Sequence, residues 1–156
     1  MASLRVRTIV LALGQFVHTG MNVVLALALA RLLAKESYGT FRQVLFIYAM
    51  LVGILGSNIA ESLLYFLPRA GPGQKPQWLG QTTQLSLGVG LVLSMILYFM
   101  SDLWAAQFDN PELSPLLKVF AFFPLTDRIV RMVPPALIAE DCAGWAASFT
   151  VLLGVA

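Results

Sequence analysis

Four long apolar stretches constrain the fold of this chain more than any other feature of its sequence. They cover approximately residues 8–33, 41–67, 79–100 and 113–137, and each exceeds the roughly 20 apolar residues that a helix needs to cross a bilayer. A fifth apolar stretch covers 143–156. Because backbone amides in hydrocarbon must bond within their own segment, these stretches are predicted to be helices. The predicted fold is an all-α, polytopic membrane helical bundle, with four complete spans and the start of a fifth in a single transmembrane domain over 1–156.

Composition supports the membrane prediction and excludes several function classes. Apolar residues make up 58% of the chain and charged residues only 12%, whereas soluble domains carry about 25% charged residues. The formal net charge of +2 is too small to indicate a nucleic-acid partner. The single cysteine, Cys142, excludes an intrachain disulfide framework, and no zinc-site spacing is present. No enzyme motif is found either, so we expect neither an enzyme nor a bound metal or cofactor.

The basic residues give only a partial indication of orientation. With alternating spans, four lie on the side of the N-terminus (Arg5, Arg7, Arg69 and Lys75) and four on the other (Arg31, Lys35, Arg42 and Lys118). The count of basic residues on the two sides therefore does not decide the orientation. Arg5 and Arg7 precede the first span, which usually dominates, and they favour a cytoplasmic N-terminus.

Polar side chains inside the apolar stretches are the candidate functional residues, because ionisable groups at membrane depth are costly. They fall at helical spacing in three spans: Gln15, His18 and Asn22; Asn58, Glu61 and Tyr65; and Asp127, Arg128 and Arg131. From the rise per residue, Glu61 and Arg131 are expected roughly 9 Å below the same membrane surface. His18 and Asp127 are expected to be level near mid-membrane. One polar layer is therefore predicted to hold all four.

Two interpretations of this layer remain open. In the structural one, which we favour, Glu61 and Asp127 pair with Arg128 and Arg131 and hold the helices together. In the functional one, the same groups line a hydrated cavity. Three prolines (Pro124, Pro134 and Pro135) are expected to kink or end the fourth span, a feature that is common where transporters bind cargo. Gly88 and Gly90 are predicted to be helix-packing glycines.

Two short segments resemble the N-terminal part of the polysaccharide-exporting flippases. The first is ARLLAKESYGTFRQV at 30–44, and the second is ESLLYFLPR at 61–69. The family belongs to the superfamily of multidrug, oligosaccharidyl-lipid and polysaccharide exporters, and the likeness in layout extends over about 5–140. By this resemblance Tyr38 and Gly39 are expected to form a tight turn, and Pro68 to stop a helix.

The resemblance implies a carrier that moves a lipid-linked oligosaccharide across the bacterial inner membrane. The pyrophosphate of such a cargo suggests a cationic cavity. The candidates for the lining of that cavity are Arg128, Arg131, Asn58 and Gln15, and the candidates for ion coupling are Glu61, His18 and Asp127. The partners expected are the lipid-linked cargo and the lipid bilayer.

Carriers of this family have many more spans, arranged in two similar halves. The chain is therefore expected to be the N-terminal part of a longer carrier, with the remaining C-terminal spans as further partners. Two alternatives remain. One is a small oligomeric exporter in which Glu61 is the proton-coupled carboxylate. The other is a membrane scaffold or assembly subunit without a transport cycle, for which the polar layer would be fully paired and dry.

Overall fold

The computed structural model describes residues 4–55, 59–71, 73–140 and 143–153, and this part of the chain contains helices and turns but no strand. Its helices are α1 (Leu4–Leu32), α2 (Lys35–Leu55), α3 (Ser62–Phe66), α4 (Lys75–Phe99), α5 (Ser101–Gln107), α6 (Leu113–Phe120), α7 (Phe123–Val130), α8 (Val133–Ala139) and α9 (Ala143–Leu153). A 3-10 turn at Leu67–Arg69 follows α3. The all-helical prediction is confirmed for these residues.

Three of the described helices are long and apolar enough to cross a membrane: Ala12–Leu32 within α1, Lys35–Leu55, and Lys75–Phe99. The chain is therefore a multi-pass membrane protein. The sequence predicted four complete spans, but the described residues contain only these three uninterrupted spanning helices.

Prolines explain why the predicted fourth span is not one long helix. The region 113–137 consists of α6, α7 and most of α8, and prolines stand at the start of both α7 and α8. A proline has no backbone N–H, and its ring clashes with the preceding turn, so the helical ladder is interrupted there. The backbone stays right-handed at the breaks, with φ −58° and ψ −19° at Ala121 and φ −65° and ψ −15° at Arg131. The expectation that Pro124, Pro134 and Pro135 kink or end the fourth span is confirmed to the extent that the helix is interrupted ahead of Pro124 and ahead of Pro134.

The predicted second span also differs from the structure at both ends. Helix α2 begins at Lys35 and ends at Leu55, and the part of the predicted span beyond residue 58 lies in a turn at 59–61, in α3 and at the start of the 3-10 turn. The prediction of a tight turn at Tyr38 and Gly39 was wrong, because both residues lie inside α2. Glu36 in the first turn of α2 favours the earlier start, since an acidic side chain stabilises the positive end of the helix dipole.

Pro68 follows the end of α3, whose last residue is Phe66. It lies within the 3-10 turn, and the chain becomes extended at Ala70, where ψ is 137°. The expectation that Pro68 stops a helix is therefore confirmed, and the chain then turns towards α4.

The main core lies where α2, α4 and α6 meet. Its fully buried side chains are aliphatic: Val44, Ile47, Leu93, Leu97, Leu113 and Leu117. Helix α7 crosses α4 closely at Gly90, where an added Cβ would lie 3.1 Å from the carbonyl oxygen of Pro124. The prediction of a packing glycine is confirmed for Gly90 but not for Gly88, whose Cβ position is open.

Helix α1 lies at the periphery of this bundle. It packs mainly against α9, which in turn packs against α8. Most described side chains of α1 are exposed, including Phe16 and Val24. In a membrane, exposed apolar side chains of this kind would contact lipid.

Candidate functional site: a polar cluster between α2 and α7

Asp127 is the centre of a polar cluster between α2 and α7. Its side chain is only 9% exposed, and the Tyr48 hydroxyl donates a hydrogen bond of 2.5 Å to its Oδ2. The Tyr48 ring is held edge-on by Phe120 and Phe123, with ring centroids 5.5 and 5.6 Å away. The rings of Tyr48, Phe120 and Phe123 therefore form an apolar surface on one side of the Asp127 carboxylate and exclude water from that side.

Arg131 binds the same carboxylate from one helical turn further along. Its Nε lies 2.8 Å from Oδ1 and 2.9 Å from Oδ2 of Asp127. Its side chain is nevertheless 64% exposed. Among the described residues, the terminal Nη groups of Arg131 have no hydrogen-bond partner. Asp127 therefore fixes the inner edge of the guanidinium and leaves the outer edge available to a ligand.

Arg128 completes the cluster from the buried side. Its side chain is 8% exposed, and its Nη2 lies 3.8 Å from Oδ2 of Asp127. The stem of Arg128 packs over Gly90, with Cγ 3.4 Å from the position of a Cβ there. Its Nε is buried without a hydrogen-bond partner among the described residues. Because this buried guanidinium lacks some of its hydrogen-bond partners, its positive charge is only partly compensated.

The charges of the cluster do not cancel. One carboxylate, Asp127, stands against two guanidiniums, Arg128 and Arg131, so the formal charge is +1. In surroundings of low dielectric, such a charge acts more strongly than it would in water. The arrangement can attract and orient an anion, and the planar outer edge of Arg131 suits bidentate contact with a phosphate or carboxylate group.

The other predicted site residues are not brought to this cluster. Gln15 and His18 lie on α1, where the Nδ2 of Asn22 is 3.3 Å from the Nδ1 of His18. Glu61 is exposed and immediately precedes α3, and Asn58 lies outside the described residues. The structure thus joins Asp127, Arg128 and Arg131, but it gives no contact between them and Gln15, His18 or Glu61 in the described part of the chain.

Sequence reasoning missed Tyr48, which is the partner of Asp127 from another helix. Tyrosine is common in apolar helices, and 79 positions separate the two residues, so local spacing offered no signal. It also missed a second interhelical clamp, in which the Asn110 side chain donates to Thr40 at 2.9 Å and to Gln43 at 2.8 Å. That clamp fixes the α5–α6 connection against the first turns of α2.

A third polar contact joins α5 to α6. Ser114 and Lys118 both donate to Asp102, and the Lys118 Nζ lies 3.1 Å from Oδ1. The Ser114 hydrogen bond, followed by the Lys118 ammonium, holds the pKa of Asp102 below its usual range. This contact is exposed, so it orders the surface of the bundle rather than forming a ligand site. No group of three potential metal ligands occurs among the described residues.

Comparison with known proteins places the chain in a family. A family model described as "Polysaccharide biosynthesis protein" matches residues 4–133. No curated protein and no solved structure matches the chain. The matched region contains α1 to α7 and therefore the whole cluster around Asp127. Because the match extends over most of the sequence, the chain belongs to the polysaccharide biosynthesis protein family.

Proposed function

We propose that the chain forms part of a membrane carrier, a flippase that moves an anionic lipid-linked oligosaccharide across the bacterial inner membrane, and that it is not an enzyme. Family membership supports a role in polysaccharide export. In this proposal α6, α7 and α8 together make a fourth crossing, α9 begins a fifth, and further spans complete the carrier. The N-terminus is cytoplasmic, and the cargo carries a polyprenyl pyrophosphate.

The observation that carries the proposal is the held but outward-facing guanidinium of Arg131. Asp127 engages its Nε through both carboxylate oxygens, while the side chain remains 64% exposed. An exposed arginine in a kinked, membrane-embedded helix segment is costly unless it faces water or an anion. A pyrophosphate group supplies both the negative charge and the paired oxygens that the outer edge of a guanidinium binds best.

Arg128 supports anion binding without touching the ligand. It is buried and contributes the second positive charge of the cluster. Asp127 then has two roles: it compensates part of the charge in the empty site, and it orients Arg131. The ion-coupling role remains part of the proposal for Asp127, Glu61 and His18.

The test is a binding measurement on the chain in lipid nanodiscs, with a fluorescent polyprenyl-pyrophosphate oligosaccharide as the ligand. Arg131→Gln removes the outer guanidinium edge. A hydrogen bond to a charged group contributes about 1.5–3 kcal/mol, so we expect binding to weaken about 10-fold to 100-fold. Arg42→Gln is the matched control, because Arg42 is an exposed arginine on α2 outside the cluster. Equal affinity of both variants and the unchanged chain would contradict the proposal.

A second candidate is a scaffold without a transport cycle, and the pairing of Asp127 with Tyr48 and Arg131 favours it. The two candidates differ in whether water reaches the cluster. A cysteine at 131, in a chain whose Cys142 is replaced by serine, is treated with a membrane-impermeant maleimide. Labelling from one side of the membrane supports the carrier, whereas protection from both sides supports the scaffold.

A further inference from the structure

Helix α1 carries a polar face that the proposed anion site does not use. Gln15, Thr19 and Asn22 are all exposed, and their spacing places them on one side of the helix. They lie within Ala12–Leu32, a segment apolar enough to cross a membrane. The opposite side of the same turns carries Val17 and Val24, which are 45% and 66% exposed. The helix thus presents an apolar face and a polar face at the same depth.

Contacts within α1 satisfy only part of this polar face. The Thr19 hydroxyl donates to the backbone oxygen of Gln15 at 2.9 Å, and the Asn22 amide donates to the backbone oxygen of His18 at 3.0 Å. The carboxamide of Gln15 has no side-chain partner among the described residues. An amide without a hydrogen-bond partner in hydrocarbon costs several kcal/mol. Contact with lipid is therefore unfavourable for this polar face, whereas it is favourable for the face that carries Val17 and Val24.

The chemistry of the face indicates what it binds. Carboxamides and hydroxyls each donate and accept hydrogen bonds, which matches the hydroxyl groups of a sugar. No Asp, Glu, Lys or Arg occurs between positions 8 and 30, so the face has no fixed positive charge with which to attract a phosphate. From Gln15 to Asn22 it extends over roughly 10 Å along the helix axis, which is long enough to contact more than one polar group of a ligand.

We propose that the face formed by Gln15, Thr19 and Asn22 lines a water-filled cavity and binds the neutral, hydroxyl-rich part of the cargo. The identity of this ligand rests on the proposed function. The two sites bind different parts of the cargo: the guanidinium of Arg131 binds the anionic group, and the uncharged face of α1 binds the glycan. Water occupies the face when no glycan is bound.

The first experiment tests whether water reaches the face. Single cysteines replace Gln15 or Asn22, and Val17 or Val24, in a chain that carries Cys142→Ser and is embedded in membrane vesicles. A membrane-impermeant maleimide is expected to label positions 15 and 22 but not the matched controls at 17 and 24. Protection of all four positions would overturn the proposal, since lipid or another polypeptide would then cover the face. Equal labelling of all four would also overturn it.

The second experiment tests the ligand and separates this proposal from the proposed function. Binding in nanodiscs is compared for two fluorescent lipids, a polyprenyl pyrophosphate with an oligosaccharide and the same lipid without one. Gln15→Leu/Asn22→Leu, which keeps the helix apolar and insertable, is expected to weaken only the glycosylated lipid, by about threefold to tenfold for one or two lost hydrogen bonds. Val17→Leu/Val24→Leu is the control.

The two proposals fail in different ways in this comparison. Equal weakening of both lipids, or no change in either, would overturn glycan binding by α1 while leaving the anion site intact. Unchanged binding of both lipids by Arg131→Gln would instead count against Arg131. A glycan-selective loss in the α1 variant, with Arg131→Gln weakening both lipids, is the result that both proposals expect.

Discussion

The Tyr48 hydroxyl lies 2.5 Å from Oδ2 of Asp127, and this hydrogen bond joins α2 to α7. The two residues come from different parts of the chain, and each is held by its own neighbours. Phe120 and Phe123 hold the tyrosine ring, whereas Arg131 holds the carboxylate. The bond therefore couples the position of α2 to the position of the guanidinium that we propose as the anion-binding group.

Tyr48→Phe tests this coupling directly. The substitution removes the hydroxyl and keeps the ring, so Asp127 loses one donor while the aromatic packing remains. A hydrogen bond to a charged group contributes about 1.5–3 kcal/mol, and we expect the free energy of unfolding in detergent to fall by a similar amount. Tyr98→Phe is the control, because Tyr98 is 47% exposed. Equal stability of the two variants would show that the Tyr48 bond contributes nothing.

Asp127→Leu is expected to destabilise the fold by about 3 kcal/mol, because removing one partner leaves buried Arg128 uncompensated. The double variant Asp127→Leu/Arg128→Met is expected to recover most of that loss, since an apolar pair avoids the desolvation of buried charge. The unfolding free energies of Asp127→Leu, Arg128→Met, the double variant and the unchanged chain together form a double-mutant cycle. Additive losses in the cycle would mean that Asp127 and Arg128 do not interact.

The Gly90–Pro124 crossing gives a prediction with its own internal control. A Cβ at Gly90 would meet the carbonyl oxygen of Pro124 at 3.1 Å, whereas a Cβ at Gly88 meets nothing within 4 Å. We expect Gly90→Ala to destabilise the bundle by about 1–3 kcal/mol through overpacking. Gly88→Ala should be neutral, or stabilising by up to about 1 kcal/mol, because alanine favours the helix. Thermal unfolding of both variants measures this difference. A Gly90→Ala variant more stable than Gly88→Ala would contradict the close approach of α7 to α4 at Gly90.

The sequence predicted the parts of this structure that depend on local chemistry. Asp127 and Arg131 are four positions apart, and the ion pair between them follows from helical geometry. The breaks at Pro124 and Pro134 follow from the missing backbone donor. Gln15, His18 and Asn22 do share a helix, but the common layer with Asp127 does not appear among the described contacts. Matching the depths of residues on different helices does not show which helices are neighbours.

Long-range packing explains the remaining differences between the prediction and the structure. The choice of Tyr48 as the partner of Asp127 depends on how α2 packs against α7, and no local pattern encodes that. Similarly, the motif around Tyr38 and Gly39 looked like a turn, yet the Asn110 amide donates to Thr40 and Gln43 and holds this end of α2. The glycine is thus tolerated inside a helix at a cost of about 1 kcal/mol, because tertiary contacts offset it.

The contact of Asp102 with Ser114 and Lys118 gives a pH prediction outside the membrane-spanning helices. These two donors hold the pKa of Asp102 below its usual range in the folded chain. A carboxyl group whose pKa is lowered by folding stabilises the fold above its unfolded pKa, about 3.9, and this contribution is lost as the pH falls through the folded value. We therefore expect Asp102→Asn to lower stability at neutral pH, and the difference from the unchanged chain to shrink as the pH falls below about 4. Unfolding free energies measured from pH 7 downwards check this expectation. A difference that stays constant with pH would show that the aspartate acts through shape or neutral hydrogen bonding rather than through its charge.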